Sequence, residues 1–162
     1  MARAGMASEH RIDRLSVDDA GEILTLQRAA YVTEAILHEN VSLPPLVQTL
    51  AELRAELADP DVVPLGIRQD GRLVGSVRVR VRGPVAELGR LIVAPDWQGR
   101  GLGTRLLRSV DEVLPSTVDR VELFTGERSA ANLRLYEREG FTETGRESAG
   151  AYELVFMSRP LH

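Results

Sequence analysis

The sequence predicts an α/β fold built on a mixed sheet with helices on both faces. Three observations predict it. Apolar runs follow one another between Val62 and Val93, joined by Asp70-Gly71 and Gly83-Pro84, which are turn signals between strands. Beyond them the apolar period lengthens to that of a helix, returns to that of a strand, and lengthens again. Two helical stretches precede the strands, so the order is not a plain Rossmann alternation.

The elements follow in order. His10 to Leu15 reads as a short first strand. Ser16-Val17-Asp18-Asp19 then places a capping serine three residues ahead of an acid. Ile23, Leu24, Leu26, Ala30 and Ile36 continue at roughly helical spacing to about Leu37, and Asn40 to Pro45 breaks the pattern. Leu46, Leu50, Leu53 and Leu57 form one stripe of a second helix, Leu46 to Ala58, stopped before Asp59-Pro60. Val62 to Arg68 and Leu73 to Arg82 read as strands. In the latter, Val77, Val79 and Val81 face one side and Arg78, Arg80 and Arg82 the other. The arginines read as a solvated face pairing with Glu or Asp; the sharper alternative is recruitment of an anionic acceptor. Then come strand Ala86 to Val93, helix Leu102 to Leu114, strand Val118 to Phe124, helix Ala130 to Glu139, and strands Phe141 to Glu147 and Tyr152 to Met157. With no repeat or linker in between, residues 10–162 are expected to form one domain behind a disordered tail, residues 1–9.

Composition narrows the function. At 162 residues the chain can bury one sizeable core. No apolar run approaches the roughly 20 residues that cross a bilayer, so no membrane partner is expected. Met1 to His10 has no apolar signal region, which makes the cytoplasm the expected location. Without cysteine there is no disulfide, thiolate nucleophile or zinc–thiolate site. The three histidines are far apart, so no metal is expected. A formal net charge of −4 argues against nucleic acid. Every basic residue apart from histidine is arginine; there is no lysine.

Gln98-Gly99-Arg100-Gly101-Leu102-Gly103 carries the most information. It links the apolar run ending at Val93 to a helical pattern beginning at Leu102. Unpaired N–H groups at a helix start, together with the helix dipole, attract anions. Glycines let a phosphate approach the backbone. The loop therefore points to a phosphate-bearing cofactor. It is not a Walker loop, because no Gly-Lys-Ser/Thr closes it. It is not a dinucleotide fingerprint either, because Gly99, Gly101 and Gly103 alternate.

What the loop does match is Gln-x-x-Gly-x-Gly, and there the chain resembles the GCN5-related N-acetyltransferase (GNAT) family. Glu87-Leu88-Gly89-Arg90-Leu91-Ile92-Val93 resembles that family's central strand. Asn132 to Tyr136, followed by Gly140-Phe141, resembles its second cofactor motif. The resemblance is dense from about Leu73 to Phe141. It implies a mixed, mostly antiparallel central sheet with helices on both faces, and acetyl-coenzyme A (acetyl-CoA) as cosubstrate. It also implies an amine acceptor, a small molecule or a protein N-terminus, and a homodimer is common for such a fold.

Residue roles follow from the resemblance. Strands Ala86 to Val93 and Val118 to Phe124 would splay, and backbone around Ile92 and Val93 would bind pantetheine like an added strand. The pyrophosphate would sit on N–H groups of Gln98, Gly99, Arg100, Gly101, Leu102, Gly103 and Thr104. Arg100 either pairs with phosphate or is a solvated loop residue. Asn132 would hold cofactor carbonyl or amide groups, or simply cap its helix. Glu87 is the candidate general base, expected in a partly apolar cleft; the alternative is a surface glutamate bonded to an arginine. Tyr136 is the candidate acid for the leaving thiolate; the alternative is a core tyrosine packed with Leu133 and Phe141. Trp97 reads as packing. Tyr31, Glu34, His38 and Glu39 fall where the family shapes its acceptor pocket, although a lone histidine such as His38 is more often a surface residue. The function expected is transfer of acetyl from acetyl-CoA to a primary amine by direct attack on the thioester. The alternative is a catalytically silent sensor or interaction module that binds coenzyme A.

Overall fold

The computed structural model describes residues 11–161. The expected tail, residues 1–9, and His10 at the expected start of the first strand lie outside the described residues. Strand β1 (Ile12–Arg14) and a turn of 3-10 helix lead into α1 (Ala20–His38). The turn has the expected cap. Ser16 Oγ accepts from the Asp18 N–H, and the Asp19 carboxylate accepts from the Ser16 N–H at 2.8 Å.

The expected helix Leu46–Ala58 is instead two pieces, α2 (Pro44–Val47) and α3 (Leu50–Ala58). The physical reason is a capping box that outweighs the leucine stripe. Thr49 Oγ1 accepts from the Glu52 N–H, and the Glu52 carboxylate accepts from the Thr49 N–H.

The remaining elements are β2 (Val62–Gln69), β3 (Arg72–Arg82), β4 (Val85–Val93), α4 (Leu102–Val113), β5 (Arg120–Gly126), α5 (Ala130–Arg138), β6 (Thr142–Ser148) and β7 (Glu153–Pro160). Asp70 and Gly71 both have positive φ, which suits the two-residue hairpin turn between β2 and β3. The seven strands make one sheet in the order β1-β2-β3-β4-β5-β7-β6. Neighbours are antiparallel except β4 and β5, which are parallel. Phe141, expected to start a strand, is instead a buried plug after Gly140, with β6 beginning one residue later. Every residue of β6, the open edge, is exposed.

Helices cover both faces. A Cβ at Gly75 would lie 3.0 Å from Leu106 of α4. Arg78, on the opposite face of the same strand, bonds Gln27 of α1 and Glu56 of α3. With both faces covered, β2 and β3 are buried almost continuously and strict alternation of burial is lost. The core joins Ile23, Leu53, Val77, Leu106, Val121 and Phe141.

Two departures from regular pairing set up the site. β4 pairs with β5 only over Val85–Glu87, although both strands run further, so they part beyond Glu87. On its other side, β4 has an extra residue relative to β3. Gly89 lies opposite Arg78, but Ile92 lies opposite Ser76. Inside this bulge Arg90 has φ +54°, in the left-handed region where few residues other than glycine sit.

Candidate active site

The parting of β4 and β5 opens a cleft of about 480 Å³. Its walls are Leu91, Ile92 and Val93 of β4, the loop from Gln98 to Thr104, Tyr31 and Glu34 of α1, and the first turn of α5 with Asn132. Beyond Glu87 the β5-facing edge of β4 has no strand partner. The glycine loop has the form that the sequence requires. Gly99 (φ +75°) and Gly101 (φ +80°) are both left-handed, and Gly101 is the residue that caps α4. No side chain caps α4, which leaves its first N–H groups directed into the cleft mouth. Gln98 donates to the Val93 carbonyl at 3.4 Å and ties the loop to the strand.

Arg100 is stacked over Trp97 at 4.3 Å. Trp97 packs against the core, as expected. Asn132 is not a helix cap; Ser129 occupies that position. The Asn132 amide donates to Glu34 Oε1 at 3.1 Å, and Ser129 Oγ donates to Glu34 Oε2. Glu34 thus fastens α1 to the start of α5 across the cleft.

Tyr136 is buried, edge-on to Phe141 with ring centroids 5.8 Å apart. It therefore belongs to the core. Burial pushes its phenol well above the ordinary tyrosine range, and nearby Tyr31 and Glu34 raise it further. The hydroxyl stays protonated and lies near α1 residues of the cleft wall. Burial also raises the Tyr31 phenol, opposed by Arg90 and Arg78.

A second cavity, of about 360 Å³, lies on the Arg78 side of the sheet. Glu87, Leu88, Gly89 and Arg90 line it, and the next residues, Leu91 to Val93, line the first cleft. The two spaces thus flank the gap between β4 and β5. Glu87 is half exposed and bonds Arg82 at 2.7 Å, so it lines this cavity, beside Leu88 and Phe124, as one half of a surface ion pair.

The reading of Arg78, Arg80 and Arg82 as a solvated stripe holds only at its outer end. All three pair with acids, but their side chains are 3%, 31% and 65% exposed. Arg78 is buried because α1 and α3 close over the inner end of the strand. Burial pushes its guanidinium down and Glu56 opposes this. Burial likewise pushes the Glu56 carboxyl up, but Arg78 and the hydrogen bonds outweigh it and hold the group below its ordinary value.

His38 is not a surface residue either; it is 3% exposed. Its Nε2 accepts from the Arg128 N–H at 3.2 Å and its Nδ1 donates to the Glu34 carbonyl at 3.0 Å. It packs against Tyr152 at 4.5 Å and over Gly126. Glu39 is exposed beside Arg128. Among the described residues no group of three or more His, Cys, Asp or Glu could hold a metal ion. None of the helices there is long and apolar enough to cross a membrane.

The chain belongs to the acetyltransferase (GNAT) family, whose model matches residues 27–141. It is 32% identical over 112 residues to an IAA acetyltransferase of Azospirillum brasilense, covering 65% of this chain and 72% of that protein. It is 29% identical to an S-(2-succino)cysteine N-acetyltransferase of Bacillus subtilis, covering 91% of this chain and 94% of that one. A mycothiol acetyltransferase of Tsukamurella paurometabola is 42% identical over 88 residues, but this chain spans only 30% of it. In fold, the chain is similar to the Escherichia coli ribosomal-protein-S18-alanine N-acetyltransferase, with a TM-score of 0.77 and 21% identity over 93% of both chains. It is also similar to a PaiA N-acetyltransferase of Thermoplasma acidophilum in complex with coenzyme A. There the TM-score is 0.67 at 20% identity, over 93% of this chain and 98% of that one. The enzyme class is therefore N-acetyltransferase.

Proposed function

We propose that the protein transfers the acetyl group of acetyl-CoA to a primary amine. One observation carries the reading: the uncapped start of α4, with left-handed Gly99 and Gly101, opens into the same cleft as the unpaired edge of β4. That combination suits a molecule with phosphates at one end and a hydrogen-bonding arm at the other. The N–H groups from Gln98 to Thr104 would hold the pyrophosphate, with Arg100 beside it. The backbone at Ile92 and Val93 would hold the pantetheine arm, and Asn132 would lie alongside.

The cosubstrate supplies an activated acetyl thioester. The remaining work falls to the chain's own residues. The acceptor enters from the Arg78 side of the gap, where Glu87 lines the wall and takes a proton from the ammonium, directly or through water. The freed amine forms the C–N bond as the C–S bond breaks. The Tyr136 hydroxyl gives its proton to the departing sulfur, and the proton lost by the amine restores the balance through solvent. A homodimer and a cytoplasmic location complete the proposal. The exposed edge strand β6 supports the first, and a sequence without cysteine fits the second.

The test is calorimetric titration with acetyl-CoA beside a thiol-release assay over a panel of amines. Micromolar binding with release stimulated by one amine class is the expected result. Binding without release under every amine would favour the silent sensor, and no binding would overturn the reading.

A further inference from the structure

Six charged residues line the cavity on the Arg78 side of the gap: Glu56, Arg78, Arg80, Glu87, Arg90 and Glu122. Five are already in ion pairs. Arg78 holds Glu56 at 2.5 Å, Arg80 holds Asp59 at 2.6 Å, Glu87 holds Arg82 at 2.7 Å, and Glu122 holds Arg120 at 2.9 Å. Arg90 is the exception: no carboxylate among the described residues lies within ion-pair distance of it. Its Nε is buried and has no hydrogen-bond partner. A buried guanidinium N–H without an acceptor is costly. The backbone adds to that cost, since Arg90 sits at φ +54°. The Tyr31 hydroxyl faces Arg90 but brings no carboxylate, so strain and a guanidinium without an ion-pair partner coincide at one residue, next in sequence to the strand segment that lines the cofactor cleft.

We infer that Arg90 binds the carboxylate of the acceptor, and that the acceptor is an amino acid with an apolar side chain. The inference deepens the acetyl-transfer reading and rests on it for the identity of this cavity as the acceptor side. A carboxylate matches the guanidinium fork and supplies the missing hydrogen-bond acceptor. An amine two bonds from that carboxylate then lies near the β4–β5 gap. Phe124 and Phe156, with ring centroids 5.4 Å apart, line the same cavity. Phe124 is 54% exposed and offers an apolar surface for the side chain. The Arg78, Arg80 and Arg82 stripe does not serve as the anion site, because its charges are spent on Glu56, Asp59 and Glu87.

The experiment compares phenylalanine, phenylalaninamide and phenethylamine on wild type, Arg90→Gly and Arg90→Lys. Glycine is at home at φ +54°, so Arg90→Gly removes the guanidinium while relieving strain, and the fold is retained. Binding is read first, as the melting-temperature shift with each compound and no cofactor added. Wild type is expected to be stabilised by phenylalanine and not by phenethylamine. Arg90→Gly is expected to lose that response, and Arg90→Lys to keep part of it. In the thiol-release assay the preference for phenylalanine over its amide in kcat/KM is expected to be about tenfold or more and to vanish in Arg90→Gly. Equal responses to phenylalanine and phenethylamine in wild type, or a preference that survives in Arg90→Gly, would overturn the inference. Calorimetry with acetyl-CoA tells its failure from that of the reading beneath it. A chain that binds phenylalanine through Arg90 but not acetyl-CoA keeps the carboxylate site and loses the acetyl-transfer reaction.

Discussion

Arg78 Nε lies 2.5 Å from Glu56 Oε2, and this pair bolts β3 to α3 beneath the candidate acceptor cavity. Gln27 of α1 and Gln48 share the arginine's remaining donors. Glu56→Ala strands a buried cation and is expected to cost about 3–5 kcal/mol. Chemical denaturation measures the loss. A double variant, Glu56→Leu with Arg78→Met, is expected to lose much less, because it leaves no unpaired charge.

The same pair sets a pH dependence. The Glu56 carboxyl is held below its ordinary value of 4.5, so the folded state favours its charged form. Its stabilising contribution is full above that value and is lost as pH falls through the lower, folded value. Stability curves for wild type and Glu56→Gln should therefore converge in acid and stand apart at neutral pH. Parallel curves across the range would show that Glu56 carries no linkage.

Gly103→Val tests the phosphate site. A Cβ at Gly103 would sit 3.6 Å from Leu135, an ordinary contact, so the fold should tolerate the change within about 1 kcal/mol. The larger side chain stands in the wall of the cleft. Acetyl-CoA affinity is expected to fall about tenfold, a change of ~1.4 kcal/mol. Unchanged affinity by calorimetry would place the pyrophosphate elsewhere.

Tyr136→Phe separates acid catalysis from packing. The ring and its contact with Phe141 survive the substitution, so stability should change little. Turnover is expected to fall about a hundredfold, with acetyl-CoA binding nearly intact. Wild-type turnover would leave Tyr136 as a core residue only.

Gly126→Ala tests a buried contact. A Cβ there would lie 2.1 Å from His38 Nε2, inside any real contact distance. The expected cost is about 1–3 kcal/mol or more. In a His38→Ala background the same change should cost much less, a non-additivity that thermal unfolding can read.

The sequence revealed the frame of this protein better than its interior. The Asp70-Gly71 turn, the glycine loop and the order of strands each depend on local chemistry, and each is where the pattern put it. Arg78 and His38 defeated the reading because burial is decided by what folds over a residue, and α1 and α3 arrive from elsewhere in the chain. Glu34 was named only for its place near the end of α1. Its bonds to Ser129 and Asn132 bridge 95 and 98 positions, a distance no local pattern reports. Arg90 carried no signal at all: its left-handed backbone comes from a bulge, and its lack of a carboxylate partner shows only once the other five charges of the cavity are seen to be paired.

That bulge also reverses the odd–even code of β4. Val85, Glu87 and Gly89 lie opposite Arg82, Arg80 and Arg78, so the odd positions share the arginine face. Past the extra residue it is Ile92, an even position, that lies opposite Ser76 on that same face. Most strands tolerate substitution and most loops tolerate changes in length. Here the bulge decides which face each later side chain takes. A regular ladder at full length would bring Leu91, not Ile92, opposite Ser76 and turn each later side chain of β4 to the opposite face. Deleting one position between Gly89 and Leu91 would remove the bulge yet leave Ile92 opposite Ser76.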